Sequence, residues 1–176
     1  GELSDEEWTR IVRAGDMISN CDIYLEDTPG ITVAEIKSKL KQLKNIDFVV
    51  VDYLQLMTSG KADKYAHEVS EITKSLKSLA EELNIPVMCL SQLNRSVDMR
   101  SDRRPVISDM EASAIDLQDA DIILFLYREG YYADRNDAQI DHNSTECIVA
   151  KNNHGETATV KLNWQGEFMR FESVKD

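Results

Sequence analysis

Residues 46–56 read Ile-Asp-Phe-Val-Val-Val-Asp-Tyr-Leu-Gln-Leu. They begin as an apolar, β-branched run without alternation, the pattern of a strand buried on both faces in the centre of a parallel sheet. The run ends in one carboxylate, Asp52. An acid at the C-terminal end of such a strand lies where open α/β sheets bind their ligands. There Asp52 would hold Mg²⁺, directly or through water; the plainer alternative is an acid that caps a strand. A second apolar run, 85–91, delivers Ser91 and Gln92. The Gln92 amide is both donor and acceptor, so it could sense a γ-phosphate or position a water; the plainer alternative is a loop residue closing a strand. A third strand end follows Lys151. Side by side, the carboxylate and the amide would form a phosphate and Mg²⁺ edge. Arg95, Arg100, Arg103 and Arg104 make up the one basic cluster. It would either grip phosphates or pair with the nearby Asp98, Asp102 and Asp109.

Other chemistries are missing from the sequence. A phosphate-binding loop needs Gly-x-x-x-x-Gly-Lys-Ser/Thr, and the one Gly-Lys, at Gly60-Lys61-Ala62, lacks the earlier Gly and the hydroxyl. No Ser-His-Asp or Cys-His grouping and no zinc spacing occurs; His67 falls on a predicted helix, His142 and His154 in loops. Cys21, Cys89 and Cys147 are scattered, two of them in apolar runs, as buried free thiols are. With no secretory start, they point to a reducing, cytoplasmic setting. No window approaches the ~20 apolar residues that span a bilayer, so no membrane partner is expected. The net charge of −12 opposes simple adsorption to nucleic acid. It leaves room for a local basic patch, or for a ring of subunits that concentrates one face of each.

The elements that would position these residues follow from periodicity and caps. Ser4-Asp5-Glu6-Glu7 and Thr32-Val33-Ala34-Glu35 are capping boxes opening two helices. The first carries Trp8, Ile11 and Val12 on one stripe, the second Val33, Ile36, Leu40 and Leu43. Residues 22–25 alternate like a short strand. A long amphipathic helix spans about 65–83, with Val69, Ile72, Leu76, Leu79 and Leu83 as its stripe. Strand, helix and strand in this order make a βαβ unit with a parallel pair. Ser108-Asp109 reads as the cap of a short helix reaching about 117. Residues 121–127 read as a third buried strand, 129–143 as a long acidic and aromatic loop. Residues 146–151, 157–163 and 167–171 read as strands, the last two forming a hairpin around Gln165-Gly166. The chain, 1–176, is expected to be one α/β domain, a mainly parallel sheet flanked by helices with a C-terminal antiparallel hairpin.

Taken together, the motifs resemble the C-terminal RecA-like motor domain of DnaB-type replicative DNA helicases. The matching stretches are IYLEDTP (23–29), VDYLQLM (51–57), EVSEI (68–72), LKSLA (76–80), SQLNR (91–95), QDAD (118–121) and FLYR (125–128). They run nearly the whole length of the chain in family order. The resemblance implies a partial RecA-like P-loop NTPase domain using ATP and Mg²⁺. It also implies self-association into a ring hexamer, single-stranded DNA as ligand, and a helicase loader or primase as further partners. Asp52 would be the Walker B acid holding Mg²⁺ through water. Gln92 would couple the nucleotide to the DNA-binding loops, and Arg95 would lie in the loop lining the ring's channel. Lys151 would reach the neighbouring subunit's ATP site.

Three departures bear on activity. The sequence begins after the family's Walker A motif and catalytic glutamate, so the chain alone is expected not to hydrolyse ATP. The hairpin usually reads Lys-x-Arg; here it is Lys151-Asn152-Asn153, with Asn153 at the arginine-finger position. The DNA-gripping loop usually reads Arg-Glu-Ser-Gly; here it is Glu111-Ala112-Ser113-Ala114. The alternative is a degenerate, non-enzymatic module that docks on a helicase ring or loader. Without the P-loop strand, an apolar sheet face is expected to be exposed and then covered by dimerisation or swapping.

Overall fold

The computed structural model describes residues 3–60, 65–111, 118–133 and 140–174. Both capping boxes form as read. Ser4 and Glu7 close the start of α1 (Asp5–Ser19), and Thr32 and Glu35 the start of α2 (Val33–Leu40). The apolar run yields β1 (Val49–Val51), then a tight 3-10 turn over Leu54–Leu56. The long amphipathic stretch is α3 (Tyr65–Leu83). Asn84 ends it in the left-handed region, φ 54°, and the Ile85 N–H returns to the Ala80 carbonyl at 3.1 Å, as in a Schellman-type C-terminus. Then β2 (Val87–Cys89) pairs parallel to β1, Val51 opposite Cys89.

The core lies between α3 and β1. Val69, Ile72, Leu76 and Leu79 are buried with Val51, Leu54 and Met57, and Val33, Ile36 and Leu40 of α2 pack on the same cluster. Lys37 of α2 and Lys41, just past its end, pair with Glu82 of α3 on the rim. The predicted stripe is thus the core face of α3.

The remainder is a four-stranded antiparallel meander. Its order is β3 (Ile122–Tyr127), β4 (Ser144–Asn152), β5 (Ala158–Gln165) and β6 (Arg170–Ser173). Between β2 and β3 lies α4 (Ile107–Glu111), and after β3 comes α5 (Glu129–Tyr132), a short helix inside the expected acidic loop. Trp164 and Phe171 face each other across β5 and β6, ring centres 4.7 Å apart.

Several expectations change. Among the described strands the parallel part is β1–β2 alone. The segment 121–127 joins the C-terminal hairpin as antiparallel β3 instead of extending the parallel sheet. Nor are the apolar strands buried on both faces. Val51 is buried beside an exposed Val50, and Ile123 and Phe125 are buried between exposed Ile122, Leu124 and Leu126. The run hides this because both faces carry the same residue types, and only a packed neighbour decides which is covered. The exposed apolar face expected of the sheet is present at Val50, Met88 and Leu90, and the α1 stripe of Trp8, Ile11 and Val12 is exposed as well.

Residues 22–25 form no strand, for no described strand pairs with them. All three thiols are free and Cys21 is exposed; of the two in apolar runs Cys147 is half-buried, and Cys89 is exposed as a residue although burial pushes its thiol up to about 11, so the expected burial is met in part. The helix expected from Ser108 begins one residue earlier, at Ile107, and its continuation past Glu111 lies outside the described residues. No described helix is long and apolar enough to cross a membrane.

Leu79, at 2 % exposure, sits in the middle of the α3 core. Leu79→Ala is expected to lower unfolding stability by about 2–4 kcal/mol. Urea denaturation checks this, and a loss under about 0.5 kcal/mol would show that α3 is not the centre of the core.

Candidate functional site

Parallel pairing of β1 and β2 brings the two predicted strand ends together. Leu90 N–H donates to the Val51 carbonyl at 2.9 Å, and Leu54 N–H to the Leu90 carbonyl at 2.9 Å. The ladder therefore continues past Asp52, whose side chain is exposed just beyond the last β1 residue; the Asp52–Tyr53 peptide is cis. Beyond this point a side chain takes over. Gln55 Nε2 donates to Ser91 Oγ at 2.9 Å and to the Gln92 carbonyl at 3.2 Å, and Gln55 Oε1 accepts the Gln92 N–H at 3.4 Å. One amide thus holds both polar faces of the Gln92 backbone, leaving the Gln92 side chain exposed. Gln55 was not singled out from the sequence, although it stands in the same VDYLQLM motif.

The donor set fits Mg²⁺ in one particular way. Among the described residues no three His, Cys, Asp or Glu side chains gather to hold a metal unaided. A lone exposed carboxylate suits an ion that keeps most of its waters and shares them with phosphate oxygens. Asp52 is the residue that would hold it, with Gln92 on the neighbouring strand end.

The four arginines separate into two kinds. Arg95 opens a 3-10 turn over Arg95–Met99 and is exposed. Arg100 donates from both terminal nitrogens to the two carboxylate oxygens of buried Asp109, each at 3.0 Å, and Nη2 also reaches the Arg104 carbonyl at 3.0 Å. The same carboxylate accepts the Val106 N–H at 2.8 Å, ahead of α4. Arg103 donates to the Asp98 carbonyl at 3.1 Å and lies 5.1 Å over the Tyr132 ring. Arg104 pairs with Glu146 and donates to Thr159 Oγ1 at 3.2 Å. Internal pairing, the plainer of the two sequence readings, thus describes Arg100, Arg103 and Arg104, though among the described residues only Asp109 of the three expected acids makes a side-chain ion pair. In the Glu111-Ala112-Ser113-Ala114 segment everything past the Glu111 backbone lies outside the described residues.

Lys151 and Asn153 sit at the end of β4. Lys151 is opposite Ile123, and because Leu124 pairs with Val149, Ala150 is the extra residue of a β-bulge. Such bulges bend a strand and re-aim the side chains next to them. Asn153 N–H donates to the Asp121 carbonyl at 2.9 Å, and its Nδ2 to Asp121 Oδ1 at 3.4 Å. The ammonium of Lys77 on α3 donates to the other Asp121 oxygen at 2.7 Å and holds this carboxyl below the ordinary aspartate range.

A cavity of about 380 Å³ lies beside this edge rather than at it. It runs from Leu93 and Val97 to Tyr127, Tyr132, Trp164 and Phe171. Arg128 covers the Trp164 ring at 4.9 Å and the Tyr131 ring at 5.6 Å. Burial raises the phenols of Tyr127 and Tyr132. Planar rings and guanidinium groups stack well here. The sequence showed an aromatic loop but not that β5 and β6 complete the cavity.

A profile described as the DnaB-like helicase C terminal domain matches residues 1–173. The chain belongs to the DnaB-like helicase C-terminal domain family. The replicative DNA helicase DnaC of Bacillus subtilis (strain 168) is 42% identical over 99% of this chain. DnaB of Geobacillus stearothermophilus is 43% identical over the same share. In each case the chain spans 39% of the relative's length. Among solved structures, an ATPase domain superposes with a TM-score of 0.90 at 38% identity, covering 99% of this chain and 62% of that one. A DnaB-like replicative helicase, solved in a study of its interactions with primase, gives a TM-score of 0.89 at 37% identity, covering 99% and 42%. The expected RecA-like α/β class is therefore correct, and within it Asp52 and Gln92 occupy neighbouring parallel strand ends.

Asp109 is the acceptor that fixes Arg100. Asp109→Ala would leave a half-buried guanidinium without its carboxylate, at a cost of about 2–4 kcal/mol. Chemical denaturation measures this; an unchanged midpoint would return Arg100 to the pool of free cations.

Proposed function

We propose that this chain is the C-terminal part of the motor of a cytoplasmic, ATP-driven replicative helicase that unwinds duplex DNA as a ring hexamer. The observation that carries this reading is the Gln55 clamp. It fixes Gln92 beside Asp52 and starts the Arg95 segment immediately after that edge. Mg²⁺ and ATP would supply the charge neutralisation and the leaving group of phosphoryl transfer. Asp52 would orient the ion's water shell, and Gln92 would register the γ-phosphate and pass its presence to the Arg95 turn. Arg95, exposed at the head of that turn, is the cation left for single-stranded DNA. Arg100, Arg103 and Arg104 shape the loop. Lys151 and Asn153, at the bulged end of β4, would face the nucleotide site of the next subunit. A ring would also cover the apolar faces at Val50, Met88 and α1. A loader and a primase are the partners such a ring implies.

These 176 residues contain no glycine-rich phosphate cradle. They alone are expected to show no ATP hydrolysis above a protein-free control. Positioning and charge stabilisation supply most of the rate in such reactions. In the full-length protein, Asp52→Ala is expected to cut hydrolysis by roughly 10²-fold. A full-rate Asp52→Ala enzyme would refute the metal assignment. Arg95→Ala is expected to weaken single-stranded DNA binding and to reduce the salt slope by about one, as loss of one phosphate contact does. Arg103→Ala should leave that slope unchanged, and the opposite pattern in a salt titration would reject the division of the arginines.

A second reading has one observation in its favour. Asn153, at the finger position, spends its side chain on Asp121 of its own chain. On this reading the chain is a non-enzymatic module that docks on a helicase ring or loader. Mixing it with an intact DnaB-type helicase should then give co-migration and inhibition; the absence of both would count against this second reading.

A further inference from the structure

We infer that α3 is a strut that links the Asp52 edge of one nucleotide site to the 151–153 turn that the same subunit presents to the next site, with Lys77 and Asp121 as its joint. The inference rests on the motor reading above and adds to it the route between two sites.

Near its start, α3 grips the segment that follows Asp52. Glu68 accepts the Ser59 N–H at 3.0 Å and the Thr58 hydroxyl at 2.8 Å. These two bonds, the backbone one foremost, keep its carboxyl below the ordinary glutamate range. Along its length the helix is packed against Val51 and Leu54, on either side of Asp52, through its buried stripe. Farther along, a second face grips the start of β3. Thr73 Oγ1 donates to Asp119 Oδ2 at 2.7 Å, and Lys77 Nζ to Asp121 Oδ2 at 2.7 Å. Thr73 and Lys77 are four residues apart and so share one side of the helix. From Glu68 to Lys77 is about 13 Å of helix at 1.5 Å per residue. The two aspartates belong to the QDAD motif, which the motor reading left without a role.

The joint reaches the turn with little slack. Asp121 holds Asn153 through both its carbonyl and its carboxylate. The turn is stiff in itself. Asn152 Oδ1 accepts the His154 N–H at 3.0 Å, and Asn152 Nδ2 donates to the Glu156 carbonyl at 3.3 Å. A Cβ at Gly155 would stand 3.0 Å from Asn152 Nδ2, so the backbone there passes close to that side chain. The bulge at Ala150 separates the turn from the regular ladder of β4. A shift of α3 is therefore passed to Lys151 and Asn153 as a rigid displacement, while β4 behind the bulge stays in register. Lys77 and Asp121 act on the turn and not on the nucleotide; they are positioning residues.

The test uses the full-length protein, assembled and supplied with single-stranded DNA. Lys77→Met and Asp121→Asn are expected to lower kcat for ATP about tenfold, as loss of coupling through such a network does. KM should change less than twofold and the Hill coefficient for ATP should fall toward one; Lys77→Arg should restore both parameters. A purely stabilising ion pair would instead lower the melting temperature and leave kcat and the Hill coefficient alone. That result, in a wild type that hydrolyses ATP cooperatively, overturns the strut. Should Lys77→Met fail to fold, Asp121→Asn decides in the same assays. A wild-type protein that hydrolyses no ATP overturns the motor reading, and the strut with it.

Discussion

Val69, Ile72, Leu76 and Leu79 turn one face of α3 onto Val51, Leu54 and Met57, and that contact holds the chain on either side of Asp52. It fixes where β1 stops, and hence where Asp52 is released to solvent. It sets the path of the 3-10 turn that carries Gln55 to Ser91 and Gln92. It also fixes the flank of the helix from which Thr73 and Lys77 hold the entrance to β3. Apolar burial is non-directional. Here it supplies cohesion, while a few short polar bonds on the flanks of the same helix supply direction.

Charge is used in a similarly local way. The chain carries −12 overall, yet four arginines between Arg100 and Arg128 are tied to partners within the chain instead of standing as counter-charges on the surface. Arg100 meets a buried carboxylate in a two-pronged pair, Arg104 meets Glu146 on β4, and Arg103 and Arg128 lie over aromatic rings. Guanidinium groups suit such sites because they offer a planar fork and a weakly hydrated face. The loop between Gln92 and α4 is thereby tied to the meander, and Arg95 remains exposed at its head. The two sheets are joined by these polar contacts and by α3 instead of sharing one continuous ladder among the described strands.

Much of the fold was legible where one element dictates its own form. The capping boxes at Ser4 and Thr32, the α3 stripe, its end at Asn84 and the hairpin around Gln165-Gly166 depend on neighbours within a few residues. Pairing was less legible. The run at 122–127 is as apolar as the run at 49–51, yet one pairs antiparallel with β4 and the other parallel with β2. Residues 22–25 alternate like a strand and have no described partner. The placement of Asp52 and Gln92 at neighbouring strand ends was readable because strand ends can be counted from the sequence. Gln55, Lys77 and Asp121 were not, because each acts on a residue more than thirty positions away.

Residue order alone settled where α1, α2 and α3 begin, and the succession of motifs that marks the DnaB-like family. These are matters of local backbone geometry and of residue type. Packing in three dimensions then chose which face of each apolar strand is covered, which arginines are consumed inside the chain, and which amide holds Gln92. Those outcomes depend on a partner's distance and direction, and a side chain's chemistry fixes neither. Arg95 and Arg100 are the same residue five positions apart; what separates an exposed cation from a structural one is that Asp109 lies within 3.0 Å of the second.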